Sequence, residues 1–268
     1  MKEITSLSKE DLKIDCQKTE NEIIEFIRKI VKDANARGVV VGLSGGIDSS
    51  VTVTLCVRAL GPDRVIGLLM PDPGITPVSD VKDAKNLASK LGIKIYTIHI
   101  DAIVKAFLDS IPLKSKDRIA LANLRARIRM IINYFFANSL DYLVVGTGDR
   151  SEALIGYFTK YGDGGVDFLP IVHLYKTQVR QLGKYLGLPE NIISKPSSPR
   201  LWKGQKATDE IPIDYDILDL ILYAMFDLKM RDSEIALKLN IPLKIVQEVQ
   251  RRYNESIHKR TYPPSIRL

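Results

Sequence analysis

The segment Ser44-Gly45-Gly46-Ile47-Asp48-Ser49 combines residue types that suit the binding of a phosphate group. It follows three consecutive valines and precedes a helical pattern, so it lies between a strand and a helix. Unpaired backbone N–H groups and the positive end of the helix dipole attract anions at such a place, and glycines let the backbone approach them. We therefore predict a phosphate-binding loop, with a tight turn that merely caps the helix as the alternative.

Asp48 distinguishes this loop from the Walker A type of phosphate-binding loop. The Walker A motif contains Gly-Lys-Ser/Thr, and its lysine, which is absent here, contacts the β- and γ-phosphates. A carboxylate in this place would repel phosphate unless a divalent cation lay between the two groups. The segment therefore indicates a nucleotide bound together with a metal ion.

Short apolar strands alternate with helices around this loop. We predict strands at 39–41, 65–70, 93–98 and 142–146, and helices at 18–33, 51–60, 78–91, 102–108, about 119–139, and 175–186. This alternation is typical of an α/β fold with a doubly wound, mostly parallel sheet and helices on both faces. Ligands of such folds bind at the carboxyl ends of the strands, which is where the glycine loop lies.

Two segments of the second half are predicted to be loops. Residues 156–170 are rich in glycine and aromatic residues, and residues 194–212 contain three prolines with lysines between them. The second loop is longer than a compact domain usually has without a function, and we expect 156–168 and 194–212 to close over bound ligands. Helices at about 215–228, 233–239 and 243–254 form a helical C-terminal part.

Composition narrows the class of protein. The 268 residues are 45% hydrophobic and 26% charged, which excludes disorder, collagen and coiled coil and fits one domain over residues 1–268. The formal charge of +7 favours anionic partners such as nucleotides, nucleic acid or phospholipid. Because the N-terminus is polar and no apolar run reaches 18 residues, we expect a cytoplasmic protein. Two distant cysteines predict neither disulfides nor a zinc or iron–sulfur site.

The motif Ser-Gly-Gly-Ile-Asp-Ser resembles the loop of the PP-loop ATP pyrophosphatases, which cleave ATP between its α- and β-phosphates. That loop is shared by ammonia ligations, argininosuccinate synthesis, GMP synthesis and tRNA thiolation or lysidine formation. The loop alone therefore leaves the acceptor of the adenylyl group open.

Further motifs resemble the ammonia-dependent NAD synthetases, and the resemblance covers nearly the whole chain. They are Asn-Leu-Arg-Ala-Arg at 123–127, Gly-Thr-Gly-Asp-Arg-Ser-Glu at 146–152, the segment 156–167, Lys176, the segment 195–205, and Glu-Ser-Ile-His-Lys-Arg at 255–260. The chain departs from the commoner family form at Ser197-Ser198, where proline and threonine or serine usually stand, and at the variable positions 148–151. The resemblance implies a fold similar to the adenine nucleotide alpha-hydrolases and a homodimer with both substrate sites near its interface.

This resemblance implies that ATP and ammonia convert deamido-NAD (nicotinic acid adenine dinucleotide) to NAD in the last step of NAD biosynthesis. The carboxylate of deamido-NAD attacks the α-phosphate of ATP, and ammonia then displaces AMP. The substrates are thus small molecules, with no nucleic-acid or membrane partner. We expect free ammonia as the nitrogen donor because neither cysteine has the neighbourhood of a glutaminase nucleophile.

The resemblance also implies a role for individual residues. Asp48 and Glu152 hold Mg²⁺, and with Lys176 they form the catalytic set. The ATP site comprises Gly42, Leu43, Ser44, Gly45, Gly46, Ile47, Asp48, Ser49, Thr147, Lys176 and Ser198. The deamido-NAD site comprises Arg127, Lys160, Asp167, His258 and Lys259, among which cations suit the pyrophosphate and Asp167 suits a ribose hydroxyl.

Two other functions fit parts of the sequence. A PP-loop enzyme that modifies tRNA would suit the positive charge, although such proteins often use additional cysteines or RNA-binding domains. Residues 232–253 look like a helix-turn-helix, which would suit a DNA-binding regulator, or simply like two short helices that end a domain. Only Gln247, Glu248 and Gln250 are obvious base-reading groups on the second helix.

Overall fold

The computed structural model describes residues 7–198, 202, 204, 211 and 213–266. Its strands are β1 (Gly38–Gly42), β2 (Val65–Leu69), β3 (Lys94–Thr97) and β4 (Tyr142–Val145). Its α-helices are α1 (Cys16–Asp33), α2 (Ile47–Leu60), α3 (Val78–Leu91), α4 (Asp101–Ser110), α5 (Arg118–Leu140), α6 (Arg150–Ile155), α7 (Lys176–Tyr185), α8 (Glu190–Ile193), α9 (Tyr215–Phe226), α10 (Asp232–Leu239), α11 (Leu243–Glu255) and α12 (Ile257–Arg260). Two 3₁₀ helices span Lys9–Leu12 and Pro62–Arg64.

The four strands form one sheet in the order β3-β2-β1-β4, and every pair within it is parallel. Val40 of β1 is aligned with Ile66 of β2 on one side and with Val144 of β4 on the other. The valines of β1 are buried on both faces, which explains why the strand is a continuous apolar run. The predicted parallel α/β sheet is confirmed.

Helices cover both faces of the sheet, as the sequence predicts. Val39 and Val41 share one apolar core with α1, α2, α3 and α7, whereas Val40 and Val144 share another with α4 and α5. Alternate valines of β1 face opposite sides because side-chain direction in a strand has a period of two.

The C-terminal helices pack around a third apolar core. Leu218 of α9, Ile235 of α10 and Val246 of α11 are fully buried there, together with Leu12 and Tyr175 from distant parts of the chain. The pair α10–α11, which resembles a helix-turn-helix in sequence, is thus anchored in the molecule through these buried side chains.

Several boundaries differ from the predicted ones. Helix α2 begins at Ile47 rather than near residue 51, so Asp48 lies in its first turn. Helix α1 begins at Cys16, before the predicted start at residue 18, and ends at Asp33 as predicted. The short helices α6, α8 and α12 were not predicted, because helices of four to six residues depend on caps and tertiary packing more than on a periodic pattern.

Residues 156–170 contain neither a helix nor a sheet strand, as predicted, but their backbone is connected to the sheet. Phe168 forms an isolated parallel bridge with Val145, and the N–H of Gly146 donates to the Phe168 carbonyl at 2.9 Å. Much of the other predicted loop, at 199–201, 203, 205–210 and 212, lies outside the described residues. Closure of the two loops over ligands stays a prediction. None of the helices in the described ranges is both long and apolar enough to cross a membrane.

Candidate active site

The glycine loop lies between the carboxyl end of β1 and the first turn of α2. Within it, the Gly46 N–H donates to Ser44 Oγ at 3.2 Å, and the hydroxyls of Ser44 and Ser49 are 3.0 Å apart. Leu43 and Ile47 point into the core, so only their backbone groups are placed to contact a ligand. The loop is therefore a cradle of backbone and serine groups at a helix N-terminus, which suits an anion.

Gly45 is held in the left-handed region, at φ +77°, and lies against the first turn of α3. A Cβ atom at this position would be 2.2 Å from the carbonyl oxygen of Asp80. Any side chain would have to push the loop away from α3 as well as strain its own backbone. Glycine is required here by both conformation and space.

We expect Gly45→Ala to destabilise the protein more than the matched change Gly187→Ala. Gly187 has nearly the same φ, +76°, but a Cβ atom added there would have no neighbouring atom within 4 Å. The backbone strain alone costs about 1–2 kcal/mol, and the overlap with Asp80 adds about 1–3 kcal/mol. Urea denaturation of both variants measures the difference, and equal losses would contradict the steric argument.

The side chain of Lys176 is fully buried and meets three carboxylates. Its Nζ lies 2.7 Å from Asp48 Oδ2, 2.9 Å from Asp149 Oδ2 and 2.9 Å from Glu152 Oε1. Asp48 comes from α2, Asp149 and Glu152 from the start of α6, and Lys176 from the first residue of α7. We call these four residues the lysine–carboxylate cluster.

Electrostatics couple the members of this cluster. Burial opposes the charged lysine, but Asp149, Asp48 and Glu152 together hold the pKa of Lys176 well above its ordinary value. Burial raises the pKa of Asp149 and of Glu152, and the charge of Lys176 opposes that rise. One ammonium group faces three carboxylates, so the cluster favours a further cation.

The positions of Asp149 and Glu152 follow from the local structure of α6. Asp149 is the N-cap of this helix, and its Oδ1 accepts a hydrogen bond from the Glu152 N–H at 2.8 Å. The N-cap role explains why Asp149 is fully buried and still hydrogen-bonded. Sequence reasoning missed Asp149 as a site residue, although Asp-x-x-Glu shortly after a strand is a recognisable helix start.

A buried carboxylate outside the cluster, that of Asp219, connects the two helix starts that carry Lys176 and Glu152. Asp219 of α9 accepts from Ser151 Oγ at 2.5 Å and from the Thr177 N–H at 2.7 Å. Ser151 Oγ in turn accepts from the Lys176 N–H at 3.0 Å. Burial raises the pKa of Asp219 to about 7. This network joins the starts of α6 and α7, and no sequence pattern indicated Asp219.

The donors of the cluster are those that Mg²⁺ prefers. Asp48 Oδ1 is buried and has no hydrogen-bond partner among the described residues. The described part of the chain contains no group of three or more His, Cys, Asp or Glu side chains that could hold a metal ion by themselves. Mg²⁺ commonly takes only one or two protein carboxylates and completes its shell with substrate phosphates and water. The residues therefore fit a magnesium ion that arrives with a nucleotide.

Four of the residues predicted to bind deamido-NAD lie together. Arg127 Nη2 of α5 donates to the Lys160 carbonyl at 3.2 Å, and Lys160 Nζ donates to the His258 carbonyl at 2.6 Å. Lys259 Nζ donates to the carbonyls of Gly156 and Phe158, at 2.7 and 2.8 Å. The C-terminal segment thereby holds the loop after α6, and the lysines have backbone partners.

Asp167, the fifth of these residues, makes different contacts. Its carboxylate accepts from the Val144 N–H at 2.7 Å and from the Tyr134 hydroxyl at 3.1 Å. It therefore supports the edge of β4. Thr147 follows β4 and is half-buried, and Ser198 is half-buried at the end of a described range. Gly42 ends β1 at the entrance of the glycine loop.

Comparisons with known proteins found similar sequences and similar structures. The model of the NAD synthase family matches residues 19–263. The NH3-dependent NAD(+) synthetase of Staphylothermus marinus is 51% identical over 256 residues, 96% of this chain and 93% of that protein. A solved structure of NMN synthetase from Francisella tularensis superposes with a TM-score of 0.85 at 33% identity, covering 96% of this chain and 100% of that one. A solved NH3-dependent NAD synthetase from Campylobacter jejuni gives 0.80 at 33% identity, covering 95% and 100%.

Proposed function

Because the chain belongs to the NAD synthase family, we propose that it converts deamido-NAD to NAD with ATP and ammonia, the last step of NAD biosynthesis. The observation that supports this most directly is the lysine–carboxylate cluster beside the glycine loop. Asp48 belongs to both, since it lies in the first helical turn after the loop and contacts Lys176. A nucleotide phosphate in the loop is thus next to the charged groups that the reaction needs.

The reaction proceeds in two displacements. A carboxylate oxygen of deamido-NAD attacks the α-phosphorus of ATP, and the bond to the β-phosphate oxygen breaks to release pyrophosphate. Ammonia then attacks the carboxyl carbon of the adenylate, loses a proton, and AMP leaves. The first step brings together two anionic reactants, so its catalysis depends on positioning and on charge compensation.

We assign the ATP phosphates to the loop 42–49, with Thr147, Lys176 and Ser198 as further contacts. The N–H groups at the start of α2 and the buried ammonium of Lys176 provide positive charge. Asp48 and Glu152 would hold Mg²⁺, and Asp149 joins them as a third carboxylate on Lys176. When bound, the metal ion supplies Lewis-acid polarisation of the phosphates.

We assign deamido-NAD to Arg127, Lys160, Asp167, His258 and Lys259. Arg127, Lys160 and Lys259 provide cations around the loop after α6, and the imidazole of His258 is exposed. Their carbonyl partners in this structure are neutral, so the ammonium and guanidinium charges are not cancelled by those contacts. Such a group of cations suits the pyrophosphate and carboxylate of the substrate.

We further propose that residues 1–268 form a single cytoplasmic domain that works as a homodimer without nucleic acid or membrane. The family match over 19–263 supports one domain. Ile131 and Phe135 lie one helical turn apart on α5 with 61% and 69% of their surface exposed, which supports a partner surface there. Sedimentation velocity measures the oligomeric state.

The test is a product balance with the purified protein. Incubation with MgATP, deamido-NAD and ammonium should release AMP, pyrophosphate and NAD in equal amounts. Without deamido-NAD, neither AMP nor pyrophosphate should form. Release of ADP and phosphate, or equal AMP release without deamido-NAD, would contradict the proposal.

A second acceptor has its own support, since the Francisella structure is that of an NMN synthetase. The same chemistry would amidate nicotinic acid mononucleotide, which lacks the adenylyl half of deamido-NAD. The two acceptors are separated by comparing kcat/KM for each under identical conditions. We expect deamido-NAD to be preferred, because the curated relatives at about half identity are NAD synthetases.

We expect ammonia, and not glutamine, to support NAD formation by this chain alone. Use of glutamine requires a nucleophile such as a cysteine thiolate. Cys56 is fully buried, which raises the pKa of its thiol to about 12, and burial also raises the pKa of the half-buried Cys16. Both shifts disfavour the thiolate, which is the nucleophilic form of cysteine.

The measurement is NAD formation with ammonia-free glutamine as the sole nitrogen source. Addition of ammonium chloride to the same sample is the control and should start the reaction at once. NAD formed from glutamine after enzymatic removal of ammonia would show that a nucleophile has been missed.

A further inference from the structure

Lys195 connects three parts of the molecule at the glycine loop. Its Nζ donates to the Gly45 carbonyl at 2.8 Å, to Asp80 Oδ1 at 2.9 Å and to Asp83 Oδ2 at 2.6 Å. An ammonium group has three donors, so all of them have acceptors here. Lys195 lies just after α8, whereas Asp80 and Asp83 belong to α3. The side chain of Lys195 is only 14% exposed.

The contact with Gly45 bears on the direction of a loop N–H group. In a planar trans peptide, the carbonyl of Gly45 and the N–H of Gly46 point in opposite directions. Since Lys195 holds the carbonyl towards α3, the N–H of Gly46 is turned away from α3, towards Ser44 Oγ. The orientation of this peptide determines whether the loop presents a donor or an acceptor to an anion.

The contacts of Lys195 with α3 affect the negative charge of Asp80 and Asp83 beside the glycine loop. The side chain of Asp80 is 4% exposed and that of Asp83 is 16% exposed, so solvent screens them weakly. Asp83 is further fixed by Asn191 of α8, whose Nδ2 donates to its Oδ1 at 2.9 Å. Without Lys195, these carboxylates would face a loop that has to accept a triphosphate. Their repulsion of the ligand would weaken ATP binding.

We propose that Lys195 is a positioning residue for ATP, which sets the Gly45–Gly46 peptide and shields the phosphate loop from Asp80 and Asp83. The proposal rests on the proposed ATP-dependent function and goes beyond it, because Lys195 belongs to none of the sets assigned above. It predicts a role in ATP binding that does not depend on the nature of the acceptor.

The first test is Lys195→Met, studied by calorimetry with MgATP and by steady-state kinetics. We expect the Kd and the KM for ATP to rise by at least about tenfold, because like charges remain beside the phosphates. The KM for deamido-NAD should stay within about twofold, since Lys195 has no contact with that site. Lys105→Met, which removes an exposed lysine paired with Asp109 on α4, is the matched control and should change neither constant.

Asp83→Asn tests the same idea by removing one of the two carboxylates, and as a single variant it does not depend on the folding of the lysine variant. On its own it should leave ATP binding as tight as in the wild type or tighter. Combined with Lys195→Met, it should recover about threefold or more of the lost affinity. A purely structural lysine would give neither the substrate-specific KM change nor this rescue.

Failure of the proposal for Lys195 can be distinguished from failure of the proposed function. Calorimetry of ATP does not require turnover, and NAD formation by the wild type is established first. An ATP Kd in Lys195→Met within twofold of the wild type would overturn the proposal. So would a tenfold weaker Kd in Asp83→Asn, or an equal rise in the KM of both substrates.

Discussion

Asp48→Asn and Glu152→Gln are each expected to lower turnover by about a thousandfold or more, since each removes a charged group that we propose as a ligand for Mg²⁺. Both changes keep the shape of the side chain. Each leaves Lys176 with two carboxylates out of three, so the buried ammonium stays compensated. We therefore expect the free energy of unfolding to change little while catalysis is lost.

Pyrophosphate release and Mg²⁺ titration measure this effect. Adenylation should fail, and not only amide formation, and any residual activity should require a higher concentration of Mg²⁺. Asp109→Asn is the control, because this exposed carboxylate on α4 pairs with Lys105 of the same helix. Near-normal pyrophosphate release by either site variant at limiting Mg²⁺ would refute the assignment of that residue to the metal.

Lys176→Met is expected to lower both stability and turnover. It removes the ammonium that contacts Asp48, Asp149 and Glu152, and leaves carboxylates in a buried place. Loss of one partner from a buried charge pair costs about 3–5 kcal/mol of the free energy of unfolding. Turnover should fall by about a hundredfold or more, because the proposed site of the ATP phosphates loses a fixed positive charge.

The stability deficit of Lys176→Met should depend on pH. Burial raises the pKa of Asp149 and of Glu152, and without Lys176 the opposing charge is absent. When the pKa of a carboxyl group is higher in the folded state than in the unfolded state, the free energy of unfolding decreases as pH rises above the pKa of the unfolded state. The variant should therefore approach the wild type near pH 5 and differ most near pH 8.

Urea denaturation at several pH values measures this dependence. Adding Asp149→Asn to Lys176→Met should restore part of the stability, because one buried charge is removed. Lys105→Met, at an exposed pair on α4, should show no such pH-dependent loss. A deficit of the same size at pH 5 and pH 8 would mean that lost packing, and not charge, causes it.

The sequence alone determined the architecture and the family. The strands β1, β2 and β4 were predictable because strands of a parallel sheet are continuous apolar runs, and helices such as α3 because glycines end periodic patterns. The loop 44–49 was predictable because glycine, serine and a helix start are local features. The motifs from 123 to 260 specified the family, which the comparisons confirmed.

The local sequence predicted the ends of helices less well than it predicted their presence. Helix α2 starts four residues earlier than predicted, at Ile47, because the apolar pattern does not include the turn that holds Asp48. Helix α6 was missed because six residues have no visible period, and its start depends on the cap formed by Asp149. Such boundaries are decided by a few side-chain hydrogen bonds.

Only the tertiary structure decided which charges meet. Lys176 is 128 residues from Asp48 in sequence, yet their atoms are 2.7 Å apart, because β1 and β4 are neighbours in the sheet and α2 and α7 pack on the same face. The contact of Lys195 with Gly45 spans 150 residues in the same way. Ion pairs between distant segments have no local pattern, since their free energy depends on burial and on distances that exist only after the chain has folded.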